Sequence, residues 1–119
     1  MPGVPFIYYG DEIGMRYMKD IRSKEGGFQR TGSRTPMQWD NSVNKGFSTA
    51  GAHQLYLAVD SSADAPNVAD QINDKNSLYS TTKSLVELRH KHADLQADAD
   101  FNVIYAEKEK MPFVYKRGK

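Results

Sequence analysis

Hydrophobic positions along this chain fall into blocks of different period, and each block predicts a different element. Residues 4–9 (VPFIYY) are apolar or aromatic without alternation and lie between Gly3 and Gly10. That pattern predicts a strand covered on both faces, the parallel-sheet type, rather than a half-solvated edge. Such a strand needs partners on either side, and the sequence supplies none before it, so its partner strands are expected to be absent. From Asp11 to about Asn76 no period is sustained, and Gly, Ser, Asn, Asp and Pro cluster at residues 24–27, 40–46 and 60–66. A connection of this length inside a compact domain is functional or disordered. Its Tyr17, Met18, Phe28, Met37, Trp39, Phe47, Leu55, Tyr56 and Leu57 argue against a solvated linker. An ordered excursion with short helical turns is expected, one of them at residues 67–72.

Residues 76–95 carry the clearest helical pattern. Leu78, Leu85, Leu88 and Leu95 recur at steps of seven, three and seven, and Tyr79, Thr82 and Val86 widen the stripe. Asn76 or Ser77 can cap the start, and Lys91 with the nearby histidines suits the negative end of the helix dipole. Residues 101–107 (FNVIYAE) and 112–117 (PFVYKR) then read as the two arms of a hairpin. Alternation of Phe101, Val103 and Tyr105 predicts one covered face, and a two-stranded hairpin alone is only marginally stable. The order is strand, long loop, helix, then a new antiparallel sheet. It matches an α/β chain holding the last strand, long loop and final helix of a barrel over residues 1–97. Residues 98–119 are expected to open a C-terminal antiparallel β-domain.

Composition narrows the function classes. The chain has 119 residues, 39% of them hydrophobic, with a formal net charge of +1 and no cysteine. Lys and Arg are spread along the sequence, so there is no electrostatic case for nucleic acid or an anionic membrane. No apolar run approaches the ~20 residues that span a bilayer. The lack of cysteine removes disulfides and thiolate metal sites and tilts the expectation toward a reducing, cytoplasmic setting. No metal or cofactor is expected: His90 and His92 are two apart on a helix, His53 is isolated, and the acidic residues 60–64 (DSSAD) lack a full calcium-loop pattern and read as a solvated loop.

Two long stretches carry a family resemblance. Residues 3–15 (GVPFIYYGDEIGM) and 30–40 (RTGSRTPMQWD) resemble the alpha-amylase family of glycoside hydrolases, in its alpha-glucosidase and oligo-1,6-glucosidase-like branch. In that family the first stretch forms the eighth barrel strand and the start of its loop, and an R-T-P-M-Q-W-D segment lies further along. Gly46-Phe47-Ser48, the helix from Asn76 to Arg89 and residues 101–117 also resemble family segments, so the likeness covers essentially the whole chain. The stretch between Met15 and Arg30 is shorter than in many oligo-1,6-glucosidases, and Ala58 and Lys75 stand where Pro is frequent. These departures leave the alpha-1,4 or alpha-1,6 preference open.

The resemblance implies a retaining mechanism, in which one carboxylate attacks the anomeric carbon and a second acts as acid, then base. In the family those groups sit on earlier strands, and nothing in this sequence matches them, so no residue is assigned a catalytic role. Asp11 and Glu12 are adjacent at a strand end and point in different directions, so they cannot readily flank one bond. Glu12 is read as a structural acceptor. Arg30 and Arg34 are the candidate substrate-binding residues. A guanidinium offers a planar set of donors that can engage sugar hydroxyls and a carboxylate together. Arg30 aligns with a family Arg that reaches the terminal glucose, and it can equally pair with a carboxylate to pin the loop. Arg34 can hold the loop by ion pair or hydrogen bond, or touch the sugar. Trp39 can stack on a ring or lie buried beside Pro36 and Met37.

The expectation is therefore the C-terminal part of a retaining alpha-glucosidase that hydrolyses short alpha-glucans, inactive by itself and contributing a substrate-site loop. The alternative is a standalone carbohydrate-binding or interaction module without catalysis. Expected partners are an alpha-glucan oligosaccharide and, through unpaired strand edges, further copies of the chain.

Overall fold

The computed structural model describes residues 3–119. The chain divides into two compact units, Ile7–Thr82 and Lys83–Lys119 together with the described residues up to Phe6.

The first unit is built mainly from turns. A 3-10 turn at Asp11–Ile13 sits between two left-handed glycines, Gly10 (φ 91°) and Gly14 (φ 70°). Further 3-10 turns occupy Gln29–Ser33, Val43–Gly46 and Ala52–Gln54, followed by one short α-helix, α1, at Val68–Gln71. Among the described residues Ile13, Met37, Leu57 and Ala65 are buried apolar side chains, and all four belong to this unit. Buried beside them are Thr31, Thr35, Gln38, Asn67 and Ser77, and hydrogen bonds satisfy that polarity. Asn67 caps α1 by accepting the Asp70 amide at 3.0 Å. The Val68 and Ala69 amides, donors that a helix start leaves without an internal acceptor, bond to the carbonyls of Gln38 and Trp39 at 3.0 and 2.9 Å. The Gln38 side chain donates to the Pro66 carbonyl. The expected helical turn at residues 67–72 is therefore present, and it is moored to the motif loop.

Helix α2, Leu78–Lys91, follows. Ser77 caps it by accepting the Ser80 amide at 3.1 Å and donates its own hydroxyl toward the carbonyls of Gln71 and Asp74. The predicted helix over 76–95 is shortened at its end. His92 is extended (φ −115°, ψ 112°), and residues Ala93–Leu95 form a separate 3-10 turn. The Gln96 side chain takes over the Arg89 carbonyl, one of those left open at the helix end. The leucine stripe is uncovered within the described chain: Leu78, Leu85 and Leu88 are all exposed.

The hairpin forms as expected, with β1 at Phe101–Tyr105 antiparallel to β2 at Val114–Arg117 and a register irregularity between Val103 and Tyr105. Phe101 lies 5.1 Å from Tyr115 and 6.5 Å from Phe113, ring centre to ring centre. Phe101 and Tyr105 are half-buried, whereas Val103 is exposed, so the covered face is only partly realised. Arg117 donates to the carbonyls of Gln96 and Ala99, tying β2 to the turn before β1.

Residues 4–9 depart from the sequence expectation. They belong to no strand ladder, and Val4, Phe6, Ile7, Tyr8 and Tyr9 are exposed. A β-strand is held by hydrogen bonds to a neighbour, and among the described residues this segment has no neighbouring strand, because the two-stranded sheet is β1 with β2 alone.

Candidate functional site

The 3-10 turn at Gln29–Ser33 places both arginines. Phe28 precedes it in extended conformation, and its amide donates to the Thr31 hydroxyl at 3.1 Å while its carbonyl accepts the Thr31 amide at 2.9 Å. The Ser33 hydroxyl donates to the Arg30 carbonyl at 3.0 Å, and the Arg34 amide closes the turn on the Thr31 carbonyl. Gly32 anchors the turn to the chain before it. Its carbonyl accepts the Met18 amide at 3.0 Å, and a β-carbon at Gly32 would stand 2.1 Å from the Met18 carbonyl oxygen. Only a glycine allows that approach.

Arg30 and Arg34 come together on one cavity of about 220 Å³, where Glu25, Tyr56 and Leu57 complete the wall. Arg30 packs its guanidinium over the Phe28 ring, 4.7 Å from its centre. Among the described residues it pairs with no carboxylate, so the loop-pinning ion pair weighed from sequence is not formed within the chain. Arg34 likewise makes no ion pair there, and its side chain is exposed. Both forks keep donors free for a ligand.

Arg34, Tyr56 and Leu57 also border a larger cleft of about 470 Å³. Its other walls are Tyr9 and Glu12 from the first motif, Pro36, Met37 and Trp39 from the second, and Phe47. Trp39 is half-exposed on this wall rather than buried beside Pro36 and Met37. The Tyr9 hydroxyl donates to the Thr35 carbonyl at 3.0 Å, joining the two motif stretches at the cleft edge. Burial pushes the Tyr9 phenol above its ordinary pKa, the neighbouring Tyr8 adds to this, and the Arg34 charge pulls against it.

The acidic residues of the first motif are occupied locally. Asp11 accepts the Tyr8 amide at 3.0 Å and Glu12 accepts the Gly10 amide at 2.8 Å, each holding the turn that contains it. This agrees with the structural role read for Glu12. Among the described residues no group of three or more His, Cys, Asp or Glu side chains is arranged to hold a metal ion.

Sequence reasoning missed Glu25, Tyr56 and Leu57 as residues that share a cavity with the arginines, because their proximity depends on how the excursion folds back. It also left residues 60–64 as a solvated loop, whereas Asp60 is buried and both carboxylates bind Arg16. The signal available was charge complementarity across 44 residues, which no local pattern reveals. Chemically, the smaller cavity joins two guanidinium forks and the Glu25 carboxylate to the Tyr56 ring, while the larger cleft is mainly apolar and aromatic; donors beside aromatic faces can engage the hydroxyls and the carbon face of a sugar ring.

Comparison with known proteins places these features. Residues 1–98 match the family model described as alpha amylase, catalytic domain. A glucan 1,6-alpha-glucosidase of Streptococcus pneumoniae is 32% identical over 145 aligned positions, covering 99% of this chain and 26% of the relative. An alpha-glucosidase of Apis mellifera is 35% identical over 102 positions, covering 75% of this chain and 18% of the relative. A crystal structure of a MUTB mutant, from crystals soaked with trehalulose, matches the fold with a TM-score of 0.76 at 24% identity, over 99% of this chain and 26% of that one. The chain thus spans about a quarter or less of the length of these relatives.

Proposed function

Since the chain belongs to the alpha-amylase catalytic-domain family, we propose that it supplies the last strand, substrate loop and final helix of a (β/α)8-barrel retaining alpha-glucosidase that hydrolyses short alpha-glucans. In this reading residues 1–97 complete the barrel and residues 98–119 begin a C-terminal β-domain. Relatives named glucan 1,6-alpha-glucosidase, oligo-1,6-glucosidase and alpha-glucosidase share an alpha-linked glucose, which supports that substrate class. The linkage is not assigned.

The observation that carries the reading is the convergence of Arg30 and Arg34 on one cavity with Tyr56, both guanidinium forks lacking a carboxylate partner among the described residues. Here Arg30 donates to hydroxyls of the terminal glucose, Arg34 contacts the same ring from the edge shared with the larger cleft, and Tyr56 offers an apolar face. The reacting carboxylates lie outside this chain. Asp11 and Glu12 are not substitutes, because each accepts an amide of its own turn.

Titration with maltose and isomaltose tests the binding part, followed by the emission of Trp39, the one tryptophan of the sequence. Saturable binding that Arg30→Ala weakens supports the site, and a flat titration removes it. Release of p-nitrophenol from an alpha-glucoside by the chain alone, above a buffer blank, would contradict the absence of catalytic carboxylates. The uncovered residues 4–9, with Phe6 93% exposed, also favour concentration-dependent self-association, read by sedimentation and lowered by Phe6→Lys.

A further inference from the structure

The wall formed by Tyr56 and Leu57 borders both cavities, yet it has little polar attachment of its own. Residues 56–59 make no hydrogen bond to the rest of the described chain. The segment is slung between two ties. On one side the Lys24 ammonium donates to the Gln54 carbonyl at 3.0 Å. On the other, the Arg16 guanidinium grips two carboxylates at once. Its Nε donates to Asp60 at 3.1 Å, and its two terminal nitrogens reach the two oxygens of Asp64 at 3.0 and 3.1 Å. Asp60, three residues beyond Leu57, is buried and also accepts the Ser62 amide at 3.0 Å and the Ser62 hydroxyl, so the chain turns sharply at the point where Arg16 holds it. Leu57 is itself buried, whereas its neighbour Tyr56 is half-exposed and lines both cavities with Arg34, so the place of this wall depends on the segment behind it staying in position.

We propose that Arg16 is a positioning residue for the sugar site: its fork, closed on Asp60 and Asp64, fixes the segment that presents Tyr56 and Leu57 to the cavity lined by Arg30 and Arg34. Arg16 lines neither cavity and touches no ligand in this role. The requirement is for the fork, not for charge alone. A single ammonium cannot span two carboxylates and bind both oxygens of one of them with fixed direction. The proposal deepens the sugar-site reading and rests on it for the ligand, but the wall's position has its own reporter. Trp39 stands on the same cleft as Tyr56 and Leu57, so acrylamide quenching of its fluorescence reads whether the cleft has opened, with or without sugar.

The test uses the full 119-residue chain. Arg16→Met keeps the apolar stem and removes the fork, Arg16→Lys keeps the charge, and Asp64→Asn removes the exposed carboxylate. Arg16→Met is expected to raise the Trp39 quenching constant and weaken maltose binding, each about two- to five-fold, the scale of a surface ion-pair network. The α2 circular dichroism signal should be unchanged. Arg16→Lys and Asp64→Asn should fall between Arg16→Met and the wild type. Trp39 quenching at the wild-type level in Arg16→Met, with α2 intact, overturns the proposal. Full rescue by Arg16→Lys also overturns it, since the fork would then be dispensable. If Arg16→Met loses its helical signal, the wild-type chain decides the matter. Quenching should rise between about 0.05 and 1 M NaCl as the exposed half of the clamp is screened, and a constant value rejects the clamp. If wild type binds no maltose yet the quenching pattern holds, the sugar reading fails and the clamp stands.

Discussion

The phenolic hydroxyl of Tyr9 donates to the main-chain carbonyl of Thr35 at 3.0 Å. The bond joins the end of the VPFIYY run to the start of the RTPMQWD segment, 26 residues away, on the edge of the larger cleft. Thr35 is buried, so its carbonyl has no ready replacement in water. Tyr9→Phe is expected to lower stability by about 0.5–1 kcal/mol, the lower part of the range for a hydrogen bond because the Tyr9 side chain is only partly covered. The phenol pKa is raised in the folded chain, first by burial. The neutral form is therefore the one the fold favours, and its contribution is whole below the ordinary phenol pKa of about 10 and fades as pH climbs through the higher folded value. Urea midpoints at neutral and alkaline pH check both parts. A wild-type alkaline limb no steeper than that of Tyr9→Phe would exclude the link.

Gly32 is required for space rather than for an unusual backbone angle. A β-carbon there meets the Met18 carbonyl oxygen at 2.1 Å and the Tyr17 ring at 2.8 Å. Gly32→Ala should destabilise the chain by about 1–3 kcal/mol, the cost of overpacking a closed contact. It should also displace the turn that carries Arg30 and Arg34. Gly27→Ala is the matched control: its nearest neighbour lies at 3.4 Å, an ordinary contact, and its effect should stay within about 0.5 kcal/mol. Chemical denaturation of both variants side by side separates a steric role from a general glycine effect.

How much of this was legible in the sequence depended on the range of the interaction involved. The turn at 67–72, the start of α2 and the hairpin arms follow from local patterns: Asn67 and Ser77 are caps with acceptors one turn from the amides they serve. Family-like motifs pointed to Arg30 and Arg34, and the structure brings the two onto one cavity. The end of α2 was misplaced because the stripe continues to Leu95, while His92 leaves the helical region and Gln96 folds back onto Arg89. Residues 4–9 read as a strand by composition, but a strand is defined by its neighbour, which composition does not contain. The Arg16 clamp and the Tyr56 wall were invisible for the same reason, being set by contacts between residues more than forty positions apart or about twenty.

Asn67 carries a second joint. It is 1% exposed, accepts the Asp70 amide at 3.0 Å and donates to the Asp70 carboxylate at 2.6 Å, while the next two amides hold the carbonyls of Gln38 and Trp39. Asn67→Ala should cost about 1–2 kcal/mol, the upper part of the range for a lost cap, because the site is buried. Asn67→Asp keeps the acceptor and loses the donor to Asp70, placing two carboxylates together, so it should recover little. Thermal melts of the two variants distinguish the cap from the side-chain pair: near-complete recovery in Asn67→Asp would mean that the pair contributes nothing.

Acid should loosen the chain at the Arg16 clamp. Burial alone would raise the Asp60 carboxyl, but hydrogen bonds from the Ser62 hydroxyl and amide and the Arg16 charge outweigh it and hold the group below its ordinary range. Asp64 is lowered chiefly by its hydrogen bond to Arg16. Both carboxyls thus titrate lower in the folded chain than the roughly 3.9 of an unperturbed Asp. Their contribution is complete above that value and disappears as pH falls through the lower folded values. Asp40 is also lowered, by the Ser42 hydroxyl and amide, and is independent of the clamp. Arg16→Met should therefore flatten the acid limb of a plot of stability against pH without abolishing it, and Arg16→Met with Asp40→Asn should flatten it further. Urea midpoints measured from neutral pH down to about pH 3 provide the comparison. An acid limb in Arg16→Met as steep as the wild type would show that Asp60 and Asp64 owe their ionisation to something other than Arg16.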